Sequence, residues 1–108
     1  MNQKRFNEIV EDTLKRCKEV LGVKQDEYNL TADRFDTFKM GAGLTGWKED
    51  QVLLGFMTKH LISIISMINS DQQFTKDRID EKIGDAINYL LLLRGLWEEI
   101  GKIKEDDQ

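Results

Sequence analysis

The sequence predicts an all-α fold, an antiparallel bundle of about four helices, on three observations. Its 108 residues contain no proline, a residue that all-β chains and long irregular loops normally use in their turns. Apolar residues recur at three- and four-residue spacing through four segments, the period of a helix with one buried face. The connection before the last segment, Ser70 to Thr75, is short and polar, and such a length favours an antiparallel neighbour.

The first segment runs from Asn2 to about Leu21. Phe6, Ile9, Val10, Thr13, Leu14, Cys17 and Leu21 share one side, with Lys4, Glu8, Glu11, Lys15, Lys18 and Glu19 largely opposite. Gly22 stands where a C-cap is expected. Val23 to Thr31 shows no consistent apolar period and holds Lys24, Asp26, Glu27 and Asn29, so it reads as a loop with Tyr28 at its centre. Thr31 or Asp33 then caps a short helix through Arg34, Phe35, Phe38, Lys39 and Ala42, which Gly41, Gly43 and Gly46 bring to an end.

Lys48 to Asn69 is the most hydrophobic helix, entered through Trp47 and an acidic pair, Glu49 and Asp50, that suits a helix N-terminus. Its aliphatic residues leave only a narrow polar strip at Lys59, Ser63 and Ser66. A helix of that character sits at the centre of a bundle or in a subunit interface. It carries more apolar surface than one small chain covers, so a homodimer or homotetramer is expected. Thr75, Asp77 and Arg78 open the final helix, which runs to about Ile100 with Ile79, Ile83, Ile87, Leu90, Leu93, Leu96 and Trp97 apolar. The charged tail from Lys104 to Gln108 is expected to fray.

A mass of 12.6 kDa is that of a single domain spanning 1–108. Forty per cent hydrophobic and 33% charged residues describe a soluble globular chain rather than a disordered or membrane protein. A formal charge of −4 argues against a sequence-independent grip on nucleic-acid phosphates, and no sequence-specific nucleic-acid partner is expected. Cys17 is the single cysteine. It allows no intramolecular disulfide and no cysteine-rich zinc site, which fits a reducing cytoplasm. Met1 to Arg16 lacks a signal-peptide core and no stretch holds about 20 apolar residues, so neither export nor membrane insertion is expected.

Chemistry has few places to reside. Glu81 and Asp85 are spaced i, i+4 and Asn88 follows three residues later, so all three project from one helix face. Two carboxylates so placed form either a solvated face or a site for magnesium or manganese that holds a nucleotide phosphate. Lys59 and Ser63 on the preceding helix can be brought against Asp85 and Asn88 by an antiparallel arrangement. The result is a structural Lys59–Asp85 ion pair, or a pocket in which Lys59 contacts phosphate while the acids hold metal. His60, the only histidine, is either a core or interface residue or a general acid–base near neutral pH. Tyr28, Arg34, Phe35, Phe38 and Lys39 mix aromatic surface with charge, which suits base stacking and phosphate pairing. Phe35 and Phe38 at i, i+3 also read as a core stripe. Glycine-rich phosphate loops, nucleophile elbows and paired Cys or His ligands do not occur.

Three stretches carry a resemblance to a known family: Asp33-Arg34-Phe35-Asp36-Thr37-Phe38-Lys39, Gly55-Phe56-Met57-Thr58-Lys59-His60-Leu61 and Asp80-Glu81-Lys82-Ile83-Gly84-Asp85-Ala86-Ile87-Asn88-Tyr89-Leu90. Over roughly positions 24 to 97 the chain resembles the small MazG-like proteins of bacteriophages and prophages, also grouped as nucleotide modification associated domain 1. That resemblance implies an all-α fold related to nucleoside triphosphate pyrophosphatases, enzymes that use magnesium and assemble as dimers or tetramers. It implies a metal clamp of an E-x-x-E pair on one helix and an E-x-x-D or E-x-x-x-D pair on the next. Glu81 and Asp85 match the second pair, whereas the first is replaced by Lys59-His60-Leu61-Ile62-Ser63. Two functions are consistent with this departure. One is a nucleotide-binding protein using Tyr28, Arg34, Lys39, Lys59 and Asn88, with His60, Glu81 and Asp85 as catalytic groups and Glu81 and Asp85 holding magnesium. The other is a non-catalytic phage effector that inhibits a host defence protein or sequesters a signalling nucleotide.

Overall fold

The computed structural model describes residues 1–28 and 33–106, the side chains of 23–28 excepted. Among the described residues it is all-helical, with α1 at Gln3–Tyr28, α2 at Asp36–Thr45, α3 at Glu49–Ile68 and α4 at Lys76–Glu99. Tyr28 keeps its helical backbone here while its side chain falls outside the described residues, as do Thr31 and the last two residues of the tail.

Two helix boundaries differ from the sequence expectation. α1 does not stop at Gly22 but continues to Tyr28. Among the described residues positive φ occurs at Gly46 and Gly101 only, so Gly22 has no left-handed cap geometry. A glycine inside a helix costs about 1 kcal/mol against alanine, a weak preference that the surrounding helix overrides. α2 begins at Asp36 after Phe35 rather than at a cap on Thr31 or Asp33. The Asp33 carboxylate instead accepts from the Phe35 amide at 2.8 Å in the preceding turn. Gly41 and Gly43 lie within α2, and Gly46 alone ends it, with φ +75° and its amide donating to Ala42 O at 2.9 Å.

The boundaries of α3 and α4 follow their sequence signals closely. The α3 entry is closed by the Gln51 side chain, whose oxygen accepts from the Lys48 amide at 2.9 Å. Glu49 and Asp50 occupy the first turn, where carboxylates face the positive end of the helix. Thr75 caps α4, its hydroxyl accepting from the Arg78 amide at 3.2 Å. The pair is antiparallel: Asp50 near the start of α3 accepts from the Trp97 indole at 3.0 Å and the Lys102 ammonium at 3.1 Å. At the other end Ile64 and Met67 share a groove with Ile79 and Ile83.

α2 packs across α3, and among the described residues α1 packs on α4 and on neither of the other helices. The core gathers where α2, α3 and α4 meet, with Phe38, Val52, Leu53 and Leu96 buried and Phe35, Tyr89, Leu92 and Leu93 packed around them. The Phe38 ring meets Phe35 at 6.4 Å and Phe56 edge-on at 5.8 Å, so of the two readings of the aromatic pair the structure realises the core stripe. By length and composition alone α3 could cross a membrane, a test that the core helix of a soluble protein also passes. Lys59 and His60 stand at its middle, where charge and polarity are costly in a bilayer core.

Candidate functional site

α1 and α4 approach each other where Cys17 meets Gly84, the thiol lying 3.9 Å from the Gly84 carbonyl. Beside this contact is a cleft of about 190 Å³ lined by Arg16, Cys17 and Val20 of α1 and by Glu81, Gly84, Asp85 and Asn88 of α4. The i, i+4, i+7 spacing of Glu81, Asp85 and Asn88 places their three polar groups along this one wall, as their common helix face predicts. Arg16 supplies a cation from the other wall.

Asn88 is the distinctive group. It is the one buried polar residue among the described residues, 7% exposed, and its side-chain oxygen has no hydrogen-bond partner. An amide oxygen buried without a donor costs about 1–3 kcal/mol, so it is a position that a ligand N–H or O–H would satisfy.

Behind the cleft the α3–α4 interface carries a small polar cluster. His60 Nδ1 lies 3.5 Å from Asp85 Oδ2, an ion pair when the imidazole is protonated and too long for a well-formed hydrogen bond. The His60 ring rests on Tyr89 with centroids 5.0 Å apart. Burial pushes the Tyr89 phenol above its ordinary value, and the Asp85 charge adds to the rise. Burial likewise raises the Cys17 thiol, despite Arg16 beside it, which leaves the thiol protonated and unreactive at neutral pH.

The structure sorts the predicted site residues into two groups. Glu81, Asp85 and Asn88 line the cleft together, and His60 meets Asp85 from α3 without lining it. Lys59 does not: the partner of Asp85 is His60, and Lys59 is exposed with no carboxylate within ion-pair distance among the described residues. One residue along a helix turns the side chain by about 100°, so the register that brings His60 to Asp85 carries Lys59 away from it. Lys39 is held by Asp33 and by Glu99, the latter at 3.1 Å, and both partners raise its ammonium above the usual value. Glu99 lies about 21 Å along α4 from Asp85 at 1.5 Å per residue, so Lys39 belongs to the opposite end of the molecule. Arg34 donates to the Leu21 carbonyl at 3.4 Å and does not line the cleft.

Arg16 and Val20 are cleft residues that the sequence reading did not single out. Their signal was present, because Arg16 adjoins Cys17 in the row Thr13, Cys17, Val20. Only the crossing of α1 over Gly84 gives it meaning. Among the described residues no group of three or more His, Cys, Asp or Glu side chains is placed to hold a metal ion. No family model, curated protein or solved structure matches the chain.

Proposed function

We propose that the protein binds a nucleotide through the cleft between α1 and α4. The observation that carries this reading is the unpartnered Asn88 oxygen, buried at the wall of a cleft that also holds Arg16, Glu81 and Asp85. Three acceptor groups suit the amino and hydroxyl donors of a nucleoside, and the Arg16 guanidinium suits a phosphate. A cleft of about 190 Å³ takes a group the size of a base or a phosphate, the rest of the ligand lying outside it. The resemblance to phage MazG-like proteins points the same way.

Magnesium is compatible with this donor set. It commonly binds through one or two carboxylates, several waters and substrate phosphates rather than through an all-protein cage. Glu81 and Asp85 would hold it, and it would polarise a phosphoanhydride toward attack by water, the chemistry of a nucleotide pyrophosphohydrolase. The chain's own part is to anchor the ligand through Asn88 and Arg16 and to keep His60 beside Asp85.

A second reading is binding without turnover, as in a phage effector that sequesters a signalling nucleotide or blocks a host defence protein. It is favoured by the outward-facing Lys59 and by the lack, on the α3 stretch from Lys59 to Ser63, of the acidic pair that would complete the clamp. Thermal shift against nucleoside mono-, di- and triphosphates and cyclic dinucleotides, with and without magnesium, tests both. A ligand at 100 times its dissociation constant should stabilise the fold by about 2.7 kcal/mol. Release of pyrophosphate then separates turnover from sequestration. A panel without any shift sinks nucleotide binding.

A further inference from the structure

A slot of about 320 Å³ opens between α3 and α4 at the end of the hairpin remote from the Ser70–Thr75 connection. Its floor is apolar, made by Leu53 and Met57 of α3, 0 and 6% exposed, and by Leu93 and Trp97 of α4. Its rim is charged, with Lys48 from just before α3, Lys102 from just beyond α4, and Asp50. The Trp97 indole is fixed as a wall, its N–H bonded to Asp50 Oδ2 at 3.0 Å and the Lys102 ammonium 5.1 Å from its ring centroid. The same Asp50 oxygen accepts from Lys102 at 3.1 Å, so the one carboxylate of the slot already has its counter-charge. Lys48 has no carboxylate within ion-pair distance among the described residues. None of these residues lines the cleft between α1 and α4.

We propose that this slot is a separate small-molecule site that takes an amphiphilic monocarboxylate, an aliphatic or aryl acid. The apolar body lies on the floor between Met57 and Trp97, and the carboxylate meets the Lys48 ammonium at the rim. The volume falls in the range of about 300–1,000 Å³ typical of ligand pockets, and an apolar lining with a few polar groups at one side is their usual composition. Burying the ligand's hydrocarbon on this floor supplies the attraction, and the charge-assisted contact to Lys48 sets the orientation.

Charge selects the head group. Two lysines against one aspartate leave the slot one positive charge, in a chain whose formal charge is −4. A single negative charge complements it, whereas a phosphate dianion would keep one charge unmatched beside Asp50 and a cationic amphiphile would face Lys48. A neutral amphiphile gains the floor without the contact at the rim.

Trp97 reports on its own slot. Trp47, 58% exposed, is the other tryptophan, so Trp47→Phe leaves Trp97 as the sole emitter. Titration of decanoate into this full-length variant should shift the emission saturably and raise the melting temperature. Decan-1-ol, the same chain without the charge, should bind about tenfold or more weakly, the effect of one charge-assisted contact. Lys48→Met should cost decanoate about tenfold and leave decan-1-ol unchanged. Leu54→Glu, at a rim position 52% exposed, should abolish decanoate binding. Both side chains face solvent, so the helical circular dichroism of the two variants should match that of the parent. Absence of saturable binding, equal affinity for decanoate and decan-1-ol, or full binding by Lys48→Met or Leu54→Glu overturns the proposal. So does a melting temperature that decanoate lowers, which would assign the emission change to the unfolded chain.

Discussion

His60 and Asp85 face each other across the α3–α4 interface, Nδ1 to Oδ2 at 3.5 Å, with the Tyr89 ring 5.0 Å from the imidazole. The imidazole is largely buried, so it contributes both a charge partner and packed surface. These contributions are separable. Asp85→Asn keeps the shape and removes the charge, and should cost under about 1 kcal/mol, because a partly exposed pair at this distance is weak. His60→Ala also removes the stacking on Tyr89 and should cost about 1–2 kcal/mol. Urea midpoints of the two variants decide the order. An Asp85→Asn loss equal to that of His60→Ala would mean that the ion pair dominates the contact.

Lys39 is occupied by structure rather than by ligand. With Asp33 and Glu99 already on its ammonium, Lys39→Ala should leave the response to every nucleotide unchanged within error. Arg16→Ala, by contrast, should weaken binding of phosphorylated ligands about tenfold or more, the effect of losing one charge-assisted contact. Titration calorimetry on the two variants distinguishes them. Loss of binding in Lys39→Ala would move the site to the α2 end of the molecule.

Two glycines of α2 should respond to alanine with opposite signs. A Cβ built at Gly41 comes within 2.7 Å of Val52 Cγ1, while one built at Gly43 meets nothing within 4 Å. Val52 is buried and β-branched, stiff in its helix, and has little freedom to withdraw. Gly41→Ala should therefore destabilise by about 1–3 kcal/mol through overpacking, and Gly43→Ala should stabilise by up to about 1 kcal/mol through helix propensity. Thermal melts of the two single variants check this.

The acid limb of stability should depend on Asp50. The Trp97 indole N–H, then the Lys102 ammonium, hold its carboxyl below the usual carboxylate value. A group whose folded pKa is depressed contributes stability above its unfolded pKa and loses it as pH falls toward the folded value. Asp50→Asn should therefore lower the urea midpoint at pH 7, and the gap from wild type should shrink below about pH 4, the ordinary carboxylate range. A gap independent of pH would mean that the contact acts through shape alone.

The sequence makes the long helices legible because their signals are local: apolar spacing, the Thr75 cap and the acidic first turn of α3. Gly22 and Gly41 mislead for a related reason. A glycine ends a helix only where its φ turns positive, and of the α2 glycines that happens at Gly46, a fact set by the chain around it rather than by residue type. The face shared by Glu81, Asp85 and Asn88 is equally legible, being fixed by helix period. The partner of Asp85 is not, since choosing between Lys59 and His60 needs the rotation of α3 to better than one residue. Arg16 is hidden for a stronger reason. It joins the cleft only through the packing of α1 on α4, a contact between segments about 67 positions apart in the chain, as with Cys17 and Gly84.

Asn88 offers the sharpest test of whether the cleft is a site at all. A buried amide oxygen without a donor is a cost to the ligand-free fold, and leucine has the same branched arrangement of four side-chain heavy atoms without the polar ones, though its methyl groups are bulkier. If the oxygen serves only structure, Asn88→Leu should be neutral or destabilising. If it waits for a ligand, removing it should stabilise the free protein by about 1 kcal/mol and abolish the ligand-induced thermal shift. The two effects have opposite signs in one melting experiment, run with and without nucleotide. Asn88→Asp adds a further arm: a carboxylate here keeps the acceptor but places a third negative charge beside Glu81 and Asp85. That variant should bind anionic ligands more weakly than wild type in the absence of magnesium, and should recover part of the loss when magnesium is added.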